Sequence, residues 1–174
     1  MELFETLVQR QSCRKYSTKA VELEKLKKCV EAAQLAPSAC NSQPWSFVIV
    51  SSQEKVSAVA ENIMNVGFNK FCKDVQSYIA VIEEPAILMS GKENPKYAHG
   101  DMGMAVENLC LAATAQGLST CIMGAFGPED KMKEILGLAP EKNLRLVVSV
   151  GYAAEDDILR NKKRKAFEEV CTII

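Results

Sequence analysis

The spacing of apolar residues changes several times along this chain, and each change marks an element. Leu3 and Leu7 open a short first helix whose end, up to Arg10, carries the first arginines. Leu23, Leu26, Val30 and Ala33 recur at helical spacing, so 22–35 reads as an amphipathic helix with its lysines on the wet face, ended by Pro37. The β-branched and aromatic run at 45–50 reads as a strand. A helix over 54–66 is stopped by Gly67, and 78–82 reads as a second strand. A long helix over 101–116 closes at Gly117, and a short strand at 120–123 leaves through Gly124. A helix over 128–135 closes at Gly137, and 144–150 reads as the last strand. The tail at 156–165 is charged, before Phe167 and Val170 return to apolar ground.

Strands and helices mix here without regular βαβ alternation, which predicts an α+β fold rather than a doubly wound one. The 101–116 helix is apolar almost all round. Such a helix needs cover on most sides, so we expect an obligate dimer that supplies some of it.

Composition narrows the function classes. With 174 residues, 48% of them apolar and 25% charged, the chain makes one domain over 1–174 with a real core. A net charge of −1 argues against a nucleic-acid footprint or a polybasic membrane surface. The apolar stretch at 102–118 is broken by Glu107, Asn108, Thr114 and Gln116, too polar for a membrane span. Met1 to Glu5 shows no secretion signal, and the 7 cysteines include no Cys-x-x-Cys. We therefore expect a cytoplasmic, reducing setting, mostly buried thiols and no zinc site. Cys13 and Cys40 lie inside polar motifs and so are placed near a ligand, without a catalytic role. Gly91-Lys92 lacks the rest of a phosphate loop, and no Gly-x-Gly-x-x-Gly follows a strand.

Two stretches carry the candidate chemistry. In the first, Arg10 and Arg14 flank Ser12; if the stretch stays helical, both arginines share one face, where an anion such as phosphate would relieve their repulsion. In the second, Ser38, Asn41 and Gln43 lie between Pro37 and Pro44, a rigid loop able to hydrogen-bond a planar polar molecule. Read locally, the first could be an ordinary helix end and the second a turn held by its own side chains.

Together they resemble the nitroreductase family of FMN-dependent oxidoreductases. The family's Arg-x-Ser-x-Arg/Lys-x-aromatic signature is matched by Arg10, Ser12, Arg14 and Tyr16. Its Pro-Ser-x-x-Asn-x-Gln-Pro-Trp loop is matched by Pro37, Ser38, Asn41, Gln43, Pro44 and Trp45, and the resemblance continues through 101–126 and 151–170. It implies a three-layer fold, a central, mostly antiparallel sheet flanked by helices, in an intertwined homodimer with FMN at the interface. Arg10, Ser12 and Arg14 would hold the phosphate and ribityl chain, while Pro37, Ser38, Ala39, Asn41 and Gln43 would reach the flavin bound mainly by the other subunit. The backbone of Met123, Gly124 and Ala125 would face the redox-active edge of the ring, and Asn69 the ring itself. Arg164, with Lys162 or Lys163 as alternatives, would close over the phosphate, although Ala166 stands where many members have proline.

The resemblance implies that NADH or NADPH reduces the flavin, which passes reducing equivalents to a nitroaromatic, quinone or similar small acceptor in a ping-pong course. No protein nucleophile or acid–base pair is required. The alternatives are a non-catalytic or regulatory flavin-binding module and a specialised flavin reaction such as reductive dehalogenation. The short segment at 90–99 leaves little room for the substrate lid the latter would need.

Overall fold

The computed structural model describes residues 2–174. Its frame is one four-stranded sheet of β1 (Trp45–Val50), β2 (Ser77–Glu83), β3 (Ser119–Met123) and β4 (Asn143–Gly151), in the order β1-β2-β4-β3. Every strand pair is antiparallel. The helices are α1 (Leu3–Gln9), α2 (Leu23–Gln34), α3 (Gln53–Met64), α4 (Pro95–Ala115), α5 (Glu129–Leu136) and α6 (Phe167–Val170).

Alternation along β2 sends successive side chains to opposite faces, and both faces are covered. Ile79 and Val81 pack with Leu26, Cys29 and Ala33 of α2 and Ala105, Val106 and Leu109 of α4. Tyr78, Ala80 and Ile82 pack on the other side with Val56, Val59 and Ile63 of α3 and Met132 of α5. The result is the expected three-layer α+β architecture, and double-sided burial explains why 78–82 reads as a continuous apolar run rather than an alternating one.

The expected elements are present, with two instructive differences. α4 starts at Pro95, six residues before the expected start at 101, because Asn94 caps it: its Oδ1 accepts from the Lys96 amide at 3.1 Å and Pro95 occupies the first turn. The second concerns the first motif. α1 ends at Gln9, and Arg10 already has φ −57° and ψ 122°. The chain then runs extended, with Ser12 bridging Thr120 in parallel and Tyr16 bridging Ala153. The shared helix face expected for Arg10 and Arg14 therefore does not form. A strict strand period does not hold through the segment either, since Cys13 and Tyr16, three apart, are both buried while Arg14 and Lys15 between them are exposed. In the tail, the apolar Phe167 and Val170 are exposed on this chain.

Candidate functional site

Ser12 lies along the free edge of β3, and the Cys13 amide donates to Thr120 O at 2.8 Å. Cys13 points into the core, fully buried, and burial pushes its thiol pKa up to about 12. The expectation that Cys13 lies near a ligand is thus overturned: it is a small hydrophobe below the motif. Tyr16 is also buried, with its hydroxyl 2.9 Å from Ser149 Oγ. Its ring occupies space that a side chain at Gly151 would need, since a Cβ there would lie 2.8 Å from Tyr16 Cδ1.

The tail folds back over this extended segment. The Ser17 amide donates to Tyr152 O and the Ala154 amide to Lys15 O, both at 2.9 Å. Lys15 Nζ meets Asp156 Oδ2 at 2.7 Å. Gln11 then joins the tail, donating to Ile158 O at 3.2 Å and accepting from the Arg160 amide at 3.0 Å. The Arg160 guanidinium donates to Ser12 O, and Lys162 Nζ donates to the Leu7, Val8 and Arg10 carbonyls at the end of α1.

This layering concentrates positive charge. Arg10 Nε has one acidic neighbour, Glu107 Oε1 at 3.6 Å, yet is buried without a hydrogen-bond partner among the described residues. The Lys162 pKa is lowered by desolvation and by repulsion from Arg10 and Arg164. Arg14 and Arg160 both act on the Cys121 thiol, opposing the rise that burial causes. Beside the cations, Phe4, Leu7, Val8 and Leu159 form the apolar wall of a 610 Å³ cavity whose polar wall includes Arg160, Lys162 and Arg164. Cations next to an open apolar wall suit an anionic group on a larger organic body.

β3 ends at Met123, and Asn69, with φ 55°, donates from Nδ2 to Ala125 O at 3.5 Å, so two of the expected ring contacts meet. A Cβ at Gly124 would meet only Leu146 Cδ2, at an ordinary 3.7 Å. The sterically required glycine is Gly127, where a Cβ would lie 2.6 Å from Asn62 O.

The second motif forms a tight loop. Ser38 is extended, and Ala39–Asn41 make a 3-10 turn. Cys40, Asn41 and Gln43 have φ of 53°, 52° and 50°, in the left-handed region. The Gln43 amide donates to Ser38 Oγ at 2.9 Å, and the Ile87 amide to Ser42 Oγ at 2.9 Å. The Ala39 amide donates to Asp101 Oδ2 of α4 at 3.0 Å. Asn41 and Cys40 are exposed.

The chain does not bring its two motifs together. Ser12 sits outside β3 beside Thr120, which pairs Val150, which pairs Ser77. The loop enters β1 at Trp45, which pairs Glu83, which pairs Asn143. Ser12 and Trp45 therefore lie at diagonally opposite corners of the sheet, roughly 25–30 Å apart from strand spacing and rise. A separate 430 Å³ cavity lined by Glu83, Glu84, Glu93 and Glu141 holds none of the expected site residues. Two of its carboxylates are already paired, Glu84 with Lys142 and Glu83 with Arg145. Among the described residues no group of three or more metal-ligating side chains converges, and no helix is long and apolar enough to cross a membrane.

Arg160 was not among the expected residues. Its signal, a cation nine positions after the strand-ending Gly151, is too weak without knowledge that the tail turns back.

Comparison with known proteins identifies the family and the fold. The family model described as Nitroreductase family matches residues 7–152. A protein of Archaeoglobus fulgidus provisionally named NADH dehydrogenase/NAD(P)H nitroreductase is 30% identical over 162 residues, covering 89% of this chain and 87% of the relative. The FMN reductase (NADPH) of Bacillus subtilis is 29% identical over 163 residues, covering 86% of this chain and 65% of the relative. A crystal structure from Desulfovibrio desulfuricans, of a protein provisionally named a nitroreductase in complex with FMN, superposes with a TM-score of 0.81 over 100% of this chain and 97% of its own; at 22% identity it speaks to the fold alone.

Proposed function

The chain belongs to the nitroreductase family, and from that premise we propose that this FMN-dependent oxidoreductase passes reducing equivalents from NADH or NADPH to a nitroaromatic, quinone or similar small acceptor. The observation that carries the cofactor assignment is the buried Arg10 Nε, 3.6 Å from Glu107 but without a hydrogen-bond partner among the described residues, beside a Lys162 whose pKa is lowered by desolvation and by the Arg10 and Arg164 charges. A terminal phosphate would accept from Arg10 and Arg14 and relieve the repulsion between Arg10, Lys162 and Arg164. Ser12 would serve the ribityl chain, and the open apolar wall beside the cations fits a flavin rather than inorganic phosphate. Backbone donors of Met123, Gly124 and Ala125 would lie at the ring, with Asn69 fixing the Ala125 carbonyl away from it. When bound, the isoalloxazine supplies the redox chemistry, which is why no protein nucleophile is needed.

The loop with Pro37, Ser38, Ala39, Asn41 and Gln43 lies at the far corner, so in this reading it serves the flavin held by a second copy. A homodimer is further supported by what one chain leaves uncovered. Gly100 and Gly103 leave an open face on α4 next to the half-exposed Met104, while Phe4 of α1 and Phe167 and Val170 of α6 are exposed. All 7 cysteines are free thiols, consistent with a reducing compartment such as the cytoplasm.

The test begins with the flavin released by heating the purified protein, which should run as FMN on chromatography; FAD, or no flavin after reconstitution, would sink the reading. Arg14→Ala should weaken FMN binding by about 1.5–3 kcal/mol, the range for hydrogen bonds to charged groups. Double-reciprocal plots with NAD(P)H and a quinone should be parallel. Flavin binding without NAD(P)H oxidation would favour the non-catalytic module instead.

A further inference from the structure

We infer that Asp101 is the positioning residue of the cofactor loop: its buried carboxylate accepts the Ala39 hydrogen bond and so holds the strained turn in the shape that meets the partner's flavin. This rests on the function proposed above. Cys40, Asn41 and Gln43, all bearing side chains, adopt φ near +50° within four consecutive positions. Left-handed backbone is disfavoured for such residues and persists only where the surroundings over-determine it.

Most of the bonds holding this loop are internal or peripheral to it. Ser38 Oγ accepts from Gln43, within the loop, and Ser42 Oγ accepts from Ile87 on an exposed surface segment. Asp101 differs. It is 5% exposed, on a 21-residue helix packed against the sheet, and it reaches Ala39 from 62 positions away in sequence. Burying a carboxylate is costly unless it is hydrogen-bonded, and a charged acceptor makes a stronger bond than a neutral one. The bond the structure gives this carboxylate goes to the first residue of the turn, so the rigid layer of the fold sets the loop's origin. Without that anchor the loop relaxes toward unstrained conformers, the binding-competent fraction falls, and apparent affinity for FMN falls with it.

Three substitutions test this. Asp101→Leu removes the acceptor. Ala39→Pro removes only the donor: Ser38, at φ −144° and ψ 154°, already has the backbone required before proline, and the first position of a helical turn accepts it. Asp101→Asn keeps an acceptor oxygen at the same place. FMN dissociation constants are measured by quenching of flavin fluorescence on reconstituting the apoprotein, with melting temperature and sedimentation alongside. Asp101→Leu and Ala39→Pro should each weaken binding about ten- to a hundredfold. Combined, they should do little more than either alone, and Asp101→Asn should rescue most of the loss.

Dimers mixed from an Asp101→Leu chain and an Arg14→Ala chain should regain one site of wild-type affinity, because one site then draws both undamaged halves. Neither parent homodimer has such a site. This readout needs no activity, and a chain that merely misfolded could not restore it. Wild-type affinity in Asp101→Leu, additive losses in the double variant, or mixed dimers without a restored site would each overturn the inference. A wild-type protein that binds no FMN would overturn the proposed function and this inference with it; tight wild-type binding with an indifferent Asp101→Leu would overturn this inference alone.

Discussion

Along the β3 edge, Cys13, Ser17 and Ala154 are tied by main-chain hydrogen bonds of 2.8–2.9 Å, and Tyr16 is sunk into the core beneath them. At the opposite corner, residues 39–43 hold a turn with three side-chain-bearing residues at positive φ, anchored by a few side-chain oxygens. The first region carries the charge and the second carries none between Pro37 and Pro44. Repulsive cations with unused donors can persist only on a frame that does not depend on them, and the β3 edge is such a frame. A neutral loop that offers shape can be built on fewer bonds, and its strain is local. The two regions should therefore fail differently when altered: the edge in folding, the loop in binding.

Gly151→Ala would strike the frame hardest. The added Cβ would meet the buried Tyr16 ring at 2.8 and 3.3 Å. The expected cost is about 1–3 kcal/mol of folding stability, the usual range for overpacking, read by denaturant unfolding. A negligible change would mean that the edge is as loosely held as the loop. Ser38→Ala sharpens the contrast from the other side. It leaves the Gln43 amide without its acceptor, so FMN binding should weaken by about 1 kcal/mol while folding stability stays within ~0.5 kcal/mol of wild type. Equal losses in both would erase the distinction.

The smallest effect should come from Lys15→Ala, which removes the exposed pair with Asp156. The hydrogen bond and charge of Lys15 hold the Asp156 carboxyl below its ordinary pKa. A depressed folded pKa means that the contribution is present above the ordinary carboxylate range and is lost as pH falls through the depressed value. The melting temperatures of Lys15→Ala and wild type should accordingly differ slightly at neutral pH and converge as pH falls through the depressed Asp156 value. A difference that persists in acid would show that Lys15 acts through something other than this pair.

Local rules made most elements legible. Helical spacing marked α2, the β-branched run marked β1, and the long last strand was evident from 144–150. Asn94-Pro95 is a helix-start signal that could have moved α4 to its true beginning. The site was legible in its residue types and less so in its arrangement. That Ser12 lies on extended backbone rather than on a helix depends on β3 offering Thr120 as a neighbour 108 positions later. Strand order β1-β2-β4-β3 separates the two motifs, and nothing in their sequence spacing announces it. Arg160 was missed because it meets the motif through long-range bonds, from its amide to Gln11 and from its guanidinium to Ser12 O, and such bonds leave no local pattern.

The diagonal separation of the motifs bears on how much protein must be present for it to work at all. On the proposed reading, an FMN that touches both corners is held by two chains, and loading and assembly then form one linked equilibrium. Dilution would then strip flavin from the protein, and added FMN would pull dissociated chains back together. The concentration of the chain itself thereby enters the affinity for its cofactor, a dependence that a site built within one chain does not have.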